Sequence, residues 1–365
     1  MNTTLTPANV AELAEAVRAT PRLLAVGAQT KLRLSAVECA KLSTAKLSGI
    51  VEYEPSEFTF TALAGTPVRD IAAALAERGQ YLPFDSMLAS AGATLGGTVA
   101  AGLSGPGRFR FGGVRDFILG VQFVDGAGRV LRLGGKVVKN AAGFDVPKFF
   151  VGSLGRFGVL TEMTFKVFPR PASHLTLTLE VDNAEAVVKI FTAAGSSRWE
   201  LDALDWLPDA RSVAMRLGGP ATALETLAQE ILGRWSGKKL NETEADKLWS
   251  DLREFRWADS PQTKTSSVLI KVALSPGNLV AFHQAITALP GARVHVSAGG
   301  NVAFVSLADA AQVVALDQKL QAQKLSGVTL QGDAPLWLGA RNDFKVSAAV
   351  KAALDAENRF PSLND

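Results

Sequence analysis

Glycine is concentrated in one stretch of this 365-residue chain: seventeen of its 33 glycines lie between Gly92 and Gly158. Each glycine inside a helix or strand costs roughly 0.5–1 kcal/mol relative to alanine. Glycine is preferred where the backbone takes a positive φ or must approach another group closely. The density therefore predicts main-chain segments that lie directly against a large ligand.

The length of the chain predicts two domains, since a single hydrophobic core rarely serves 365 residues. Apolar residues make up 47% of the chain, which is enough for two cores. Phe168-Pro-Arg-Pro171 interrupts a strand pattern and marks a boundary. We predict a first domain over residues 1–171 and a second over 172–340, with residues 341–365 packing back on the first.

Few residues are available for metal binding or disulfide chemistry. Cys39 is the one cysteine, so the chain alone forms no intramolecular disulfide and holds no iron–sulfur cluster. The three histidines, His174, His283 and His295, are far apart and form no paired zinc motif. We therefore predict no metal site.

The sequence shows neither a secretory signal nor an apolar run long enough to span a membrane. A cytoplasmic protein is expected, with membrane association only through a partner. Residues 104–170 hold eleven Lys/Arg against four Asp/Glu, a local balance of +7. This suits phosphate or carboxylate ligands, although a solvated basic face is an open alternative. Nucleic acid is disfavoured because no stacking aromatics or DNA-binding motif accompany the charge.

Periodicity predicts mixed α and β structure throughout. Thr6-Pro7 predicts a helix start, and Leu23–Val26 a buried strand that ends in a tight loop. In the second half, strands and helices follow in an order that predicts an antiparallel sheet with helices on one face.

The common nucleotide-binding motifs are absent. No Gly-Lys-Ser/Thr occurs, which excludes a Walker A loop. Gly27 is the only glycine of its loop, and the glycines at 152, 155 and 158 precede a strand rather than a helix. A Rossmann dinucleotide site is therefore disfavoured.

Four other motifs occur in a distinctive order. They are Val26-Gly-Ala-Gln-Thr-Lys31, Ala93-Thr-Leu-Gly-Gly97, Arg110-Phe-Gly-Gly-Val-Arg-Asp116 and Gly155-Arg-Phe-Gly-Val159. The first is a strand followed by a loop whose main-chain amides could surround a pyrophosphate. The order resembles the FAD-binding domain of the vanillyl-alcohol-oxidase or p-cresol-methylhydroxylase type. The resemblance covers roughly residues 5–171 and implies an α+β fold: an FAD domain of two α+β subdomains, then an α+β cap domain with an antiparallel sheet.

A narrower resemblance rests on Gly134-Gly-Lys-Val-Val-Lys-Asn-Ala-Ala-Gly-Phe-Asp145, Gly152-Ser-Leu-Gly155 and Phe168-Pro-Arg-Pro171. These segments are similar to the FAD-binding E subunits of bacterial glycolate oxidases. The resemblance implies two partners, a flavoprotein D subunit and an iron–sulfur F subunit. It also implies a complex that oxidises glycolate, a small 2-hydroxy acid, to glyoxylate.

The predicted cofactor-binding residues follow the motifs. They are Val26, Gly27, Ala28, Gln29, Thr30, Lys31, Gly92, Ala93, Thr94, Leu95, Gly96, Gly97, Ala101, Gly102, Gly105, Gly112, Gly158 and Val159. FAD is expected to be bound non-covalently, because the first domain lacks histidine and Cys39 lies outside the motifs.

Catalytic candidates are cations for a substrate carboxylate or the flavin: Arg110, Lys136 and Lys139. His283 or His295 could supply a base, although ordinary structural roles explain both. The shortage of acid–base groups leaves three hypotheses. The chain is an FAD-binding subunit of a glycolate-oxidising complex, a stand-alone FAD-dependent 2-hydroxy-acid or alcohol dehydrogenase, or a flavin-fold scaffold without chemistry.

Overall fold

The computed structural model describes residues 3–135, 145–258, 268–341 and 345–365. The chain divides into two compact units. The first contains Met1–Ser104, Gly112–Arg170 and Asn342–Asp365, and the second contains Gly105–Phe111 and Pro171–Arg341. Across the described ranges, no helix has both the length and the apolar character that crossing a membrane requires.

Short strands and helices alternate between Thr4 and Pro169. Strands β1–β10 are Thr4–Leu5, Leu23–Val26, Ala40–Ser43, Ile50–Glu54, Thr59–Leu63, Gln80–Tyr81, Ile118–Val124, Val130–Gly134, Val159–Lys166 and Phe168–Pro169. Helices α1–α5 are Val10–Ala19, Val68–Ala76, Leu95–Ala101, Arg108–Phe111 and Val114–Phe117. Helix α4 belongs to the second unit.

Two principal sheets organise the first unit. Three parallel strands pair in the order β1-β3-β2, and five antiparallel strands pair in the order β4-β5-β9-β7-β8. Leu13 and Val17 of α1 are fully buried against Leu42 of β3 and Val159 of β9. The core thus fixes β2 beside β3 and leaves the loop after β2 at the edge of the parallel sheet.

Helix α1 starts later than Thr6-Pro7 predicts. The helix begins at Val10 because Asn9 Oδ1 accepts a hydrogen bond from Glu12 N at 2.9 Å, which caps the first turn. The Glu12 carboxylate in turn accepts from Ala8 N. Asn9 is therefore the N-cap instead of Thr6, and the hydrogen bonds of Asn9 and Glu12 fix the first residue of α1.

The second unit is built on one antiparallel sheet. Strands β11–β19 are Ser173–Glu180, Ala203–Leu207, Ser212–Gly219, Gly237–Lys239, Val268–Ala273, Arg293–Ser297, Val302–Leu307, Ser326–Gln331 and Trp337–Gly339. They pair in the order β14-β11-β13-β12-β16-β17-β15-β18-β19. Helices α6–α10 are Ala184–Gly195, Ala221–Leu232, Glu242–Arg253, Leu279–Thr287 and Val313–Ala322. The predicted antiparallel sheet is confirmed.

Helices cover both faces of this sheet, not one as predicted. Helices α6, α7, α9 and α10 share one large apolar core with the strands. Helix α8 packs on the opposite face, where Trp249 lies against Ala203 and Ala214. Trp249 Nε1 also donates to Thr176 Oγ1 at 2.9 Å. The two alanines leave space for the indole of Trp249. This fit involves three separate elements, so the periodicity of any one of them does not reveal it.

The last helix, α11 (Lys345–Leu354), belongs to the first unit. Gly126 N donates to Leu354 O at 2.8 Å, and Phe360 is buried in the same core as α1. Residues 355–365 therefore lie on the parallel sheet.

Candidate functional site

A pocket in the first unit gathers three of the four motifs. It encloses about 750 Å³ including its open mouth, within the size range of ligand sites. Its lining residues are Ala25, Val26, Gly27, Ala28, Gln29, Thr30, Lys31, Leu34, Ser35, Thr44, Ala64, Thr94, Gly96, Gly97, Ala100, Ala101, Ser153, Leu154, Gly155, Gly158 and Leu160.

The loop after β2 presents main-chain donors. Within the described residues, no protein acceptor takes the N–H groups of Gly27, Ala28 or Gln29. Gln29 has φ of 53°, so the loop turns through the left-handed region. Successive unpaired amides in such a turn form a concave donor surface for an anion. An added Cβ at Gly27 would overlap Thr94 Oγ1, which explains why this position is glycine.

Lys31 adds a buried cation to the pocket. The residue is 8% exposed, and its Nζ donates to Thr30 Oγ1 at 3.0 Å. Burial lowers the pKa of Lys31 to about 8, because a charged ammonium is poorly solvated there. In the part of the chain that the structure describes, no carboxylate forms an ion pair with it. An anionic ligand would supply the missing counter-charge.

The second motif forms the start of α3. Thr94 Oγ1 accepts from Gly97 N at 3.3 Å, and Gly96 N donates to Ala64 O at 2.8 Å. An added Cβ at Gly96 would lie 2.9 Å from Ala64 Cβ and 3.0 Å from Ala64 O. At Gly97, apart from its chain neighbours and the backbone of α3, an added Cβ would come within 4 Å of Thr94 Oγ1 alone among the described residues, at 3.1 Å. Gly96 therefore serves packing, whereas Gly97 keeps space open beside the pocket.

Another wall of the pocket is the turn formed by Ser153–Gly158. Leu154 and Gly155 have φ of 52° and 73°, and a Cβ at Gly155 would come within 3.2 Å of Leu24 Cδ1. Arg156 is fully buried behind this wall, and burial lowers its pKa to about 10. The guanidinium thus stays charged at neutral pH. At Gly158, a Cβ would approach Phe123 Cδ2 and Val124 O, both at 2.9 Å.

The structure brings eleven of the eighteen predicted cofactor residues into the pocket lining: Val26, Gly27, Ala28, Gln29, Thr30, Lys31, Thr94, Gly96, Gly97, Ala101 and Gly158. Gly105 does not line the pocket and belongs to the second unit. The other six that do not line it are Gly92, Ala93, Leu95, Gly102, Gly112 and Val159.

Those six have local structural roles. Gly92 and Gly112 have φ of 88° and 84°, and Gly102 ends α3 with φ of 56°. Leu95 and Val159 are fully buried. Ala93 O accepts a hydrogen bond from Val68 N at 2.9 Å, which holds the backbone just before α3 in place.

Sequence reasoning missed ten lining residues: Ala25, Leu34, Ser35, Thr44, Ala64, Ala100, Ser153, Leu154, Gly155 and Leu160. Gly155 belongs to the motif Gly155-Arg-Phe-Gly-Val159, so the sequence does carry a signal for this part of the lining. Thr44 and Ala64 carry no local signal, because they reach the pocket only through strand pairing.

Of the three candidate catalytic cations, the structure describes Arg110, which does not line the pocket. Arg110 lies in α4 of the second unit, where it donates to Asp202 Oδ1 at 3.0 Å and Glu200 Oε2 at 2.8 Å. These carboxylates compensate its charge, which favours a structural role. Lys136 and Lys139 lie outside the described residues.

The two histidines proposed as bases are embedded in the second unit. His295 is 1% exposed, and its Nε2 lies 2.7 Å from Asp205 Oδ2. Asp205 Oδ1 also accepts from Ser297 Oγ at 3.0 Å and Ala298 N at 3.1 Å. The His283 ring packs on Trp206 at a centroid distance of 4.6 Å, and burial lowers its pKa. Nδ1 of His295 is buried without a hydrogen-bond partner within the described residues. Neither histidine lines the pocket.

Comparison with known proteins agrees with the pocket. Residues 2–134 match a family model described as an FAD binding domain. The glycolate oxidase subunit GlcE of Escherichia coli (strain K12) is 41% identical over 211 residues, which cover 56% of each chain. The glycolate oxidase subunit GlcD of Bacillus subtilis (strain 168) is 32% identical over 39% of this chain and 30% of that protein. The chain thus spans about half the length of these relatives or less.

The fold is shared with a solved structure of alkyldihydroxyacetonephosphate synthase. The TM-score is 0.71, and the match covers 98% of this chain and 76% of that one at 15% identity. At this identity the likeness shows the fold alone. The predicted resemblance and the α+β FAD-binding fold are confirmed.

Proposed function

We propose that this chain, whose residues 2–134 match an FAD binding domain, is the FAD-holding subunit of a glycolate-oxidising complex. The observation that carries the proposal is the pocket of the first unit, which combines unpaired main-chain amides with one buried, uncompensated cation. Similarity to a glycolate oxidase subunit supplies the substrate and the complex.

Different pocket residues would contact different parts of FAD. The amides of Gly27, Ala28 and Gln29 would donate to the pyrophosphate, and the Lys31 ammonium would offset its charge. Gly97 would allow the cofactor to approach α3 without meeting a side chain. Bound FAD would supply the redox chemistry by accepting two electrons from an alcohol being oxidised to a carbonyl.

FAD is held non-covalently in this proposal. The pocket lining contains no histidine or cysteine among the described residues, so a nucleophilic side chain for attachment is missing there. Cys39 is half-buried and does not line the pocket.

The lining also favours a subunit over a stand-alone dehydrogenase. Lys31 is the only ionisable side chain among the described lining residues, so the pocket offers no carboxylate or imidazole base. Arg110 is paired with Asp202 and Glu200, so Lys136 and Lys139, outside the described residues, remain the candidate cations for a substrate carboxylate. Oxidation of glycolate to glyoxylate is therefore assigned to the complex, with a flavoprotein D subunit and an iron–sulfur F subunit that receives the electrons.

The visible absorption spectrum of the purified chain, recorded before and after anaerobic glycolate, tests this proposal. We expect flavin bands that persist with the isolated chain and bleach when the D and F subunits are co-purified with it. Bleaching by the isolated chain would assign a stand-alone dehydrogenase. A colourless chain that does not take up added FAD would contradict FAD binding.

A further inference from the structure

Arg156 is an unusual residue for the interior of the first unit. It is fully buried, and its hydrogen-bond acceptors within the described residues are main-chain oxygens of Leu154, Ser362 and Asp365. Nη1 donates to Leu154 O at 2.7 Å, Nη2 to Asp365 O at 3.0 Å and Nε to Ser362 O at 3.3 Å. Burying a guanidinium is costly; the negative charge of Asp365 offsets part of that cost, and the three bonds hold the guanidinium between two segments of the unit.

The first acceptor belongs to the pocket wall. Leu154 has φ of 52°, a conformation that costs a non-glycine residue free energy unless its surroundings hold it. Leu154 N donates to Ala100 O at 2.9 Å, and Leu154 O accepts from Arg156. Loss of the Arg156 bond would release one of these two restraints on a residue that lines the cofactor pocket.

The other two acceptors belong to residues 355–365, which also contact the start of strand β2. Leu23 N, at the start of β2, donates to Arg359 O at 2.8 Å. Arg359 Nη1 donates to Thr20 O at 3.1 Å. Strand β2 leads directly into the loop of Gly27, so one short segment contacts the supports of both walls.

We propose that Arg156 is a positioning residue for the cofactor pocket, which ties the Leu154–Gly155 wall to Ser362–Asp365 so that docking of this segment controls how firmly FAD is retained. This inference rests on the proposed FAD-binding function. It extends the cofactor site to residues that do not touch the cofactor.

The test uses the full-length holoprotein and compares Arg156→Gln, Arg156→Lys and a chain lacking residues 362–365. The measurements are the FAD dissociation rate, followed by the fluorescence of released flavin, and the visible circular dichroism of bound flavin. We expect about a tenfold faster release from all three variants, with a common change in circular dichroism. Combining Arg156→Gln with the deletion should increase the FAD dissociation rate little beyond that of either change alone. Both changes remove the hydrogen bonds between Arg156 and Ser362–Asp365.

Arg22→Gln is the matched control. Arg22 also binds Asp365, through Oδ2 at 2.6 Å, but this ion pair is solvent-exposed and should contribute little to docking of the segment. We expect release from this variant within twofold of the wild-type rate. Unchanged release and dichroism in both Arg156→Gln and the deletion variant would overturn the inference, even where the unfolding temperature falls. Wild-type retention in Arg156→Lys would show that charge alone matters and would equally overturn it.

The outcomes separate this inference from the proposed function. A wild-type chain without affinity for FAD contradicts the FAD-binding proposal and removes the inference with it. A wild-type chain that binds FAD, with variants that release it at the same rate, contradicts the inference alone. If Arg156→Gln does not fold, the deletion variant decides, because it leaves the Arg156–Leu154 bond intact.

Discussion

Gly27 and Thr94 are direct neighbours in the lining of the candidate cofactor pocket, although 66 residues separate them in the chain. A Cβ added at Gly27 would overlap Thr94 Oγ1. The same hydroxyl oxygen accepts a hydrogen bond from Gly97 N at 3.3 Å. One side chain therefore joins the loop after β2 to the start of α3. The first two sequence motifs are parts of a single local structure.

Gly27→Ala should destabilise the FAD-free chain by about 1–3 kcal/mol, because the new methyl group has no space beside Thr94. Thr94→Ala alone should cost about 1 kcal/mol through loss of the α3 cap. In the double variant the overlapping oxygen is absent, so the combined loss should be smaller than the sum. Urea unfolding of the four proteins measures this coupling, and strict additivity would show that the two residues do not meet.

Gly97→Val should abolish FAD retention while the chain still folds, because its side chain would enter space that the structure leaves open beside the pocket. Flavin content after gel filtration and far-ultraviolet circular dichroism give the two readouts. Gly96→Val is the matched comparison at the adjacent position. There the side chain would meet Ala64, so we expect loss of folded protein. Full flavin occupancy in Gly97→Val would argue against the placement of FAD along α3.

Part of the fold followed from local patterns, as β2 shows: the apolar run Leu23–Val26 predicted the buried strand that the structure contains. Helix α3 was missed because Gly96 and Gly97 disfavour a helix on propensity. It forms because the Thr94 cap and the close packing on Ala64 outweigh that preference. Strand β12 was missed for a related reason. Its central Asp205 is buried, and its partners His295, Ser297 and Ala298 lie about ninety residues away.

The candidate site was predictable to the extent that backbone chemistry decides it. The loop from Gly27 to Lys31 was found because glycine and polar residues after a buried strand indicate an anion-binding turn. Leu154 was missed because nothing local shows that an apolar residue will adopt a positive φ. Arg156 was missed because two of its three acceptors belong to Ser362 and Asp365, more than two hundred positions away.

The FAD dissociation constant should rise as the pH rises above about 8, because Lys31 then loses its proton. Anionic phosphates raise the pKa of the bound ammonium, so affinity is full below the free-state pKa and declines above it. The expected loss is about tenfold by pH 10. Titration of FAD fluorescence across this range measures the effect.

Lys31→Met is the control for this titration, since it keeps the length of the side chain but cannot carry charge. The variant should bind FAD more weakly at pH 7 and show a flatter pH profile. The stability of the FAD-free wild-type chain should change in the opposite sense to its FAD affinity and rise with pH. The pKa of Lys31 is lowered by folding, so its unfavourable contribution to stability diminishes as the pH rises from about 8 toward the ordinary lysine value of 10.5. A profile identical to that of Lys31→Met would exclude Lys31 from the site.

Asp205→Ala should destabilise the protein by about 3–5 kcal/mol, because it leaves the buried groups of His295, Ser297 and Ala298 without their shared acceptor. Asp209→Ala is the control: Asp209 is 47% exposed and pairs with Arg293 at 2.6 Å, so its removal should cost no more than about 1 kcal/mol. Both variants should retain the wild-type affinity for FAD, because neither carboxylate lines the pocket. Thermal unfolding and FAD titration together test the assignment. A normal unfolding temperature with lost glycolate oxidation in the complex would instead identify Asp205 and His295 as an acid–base pair.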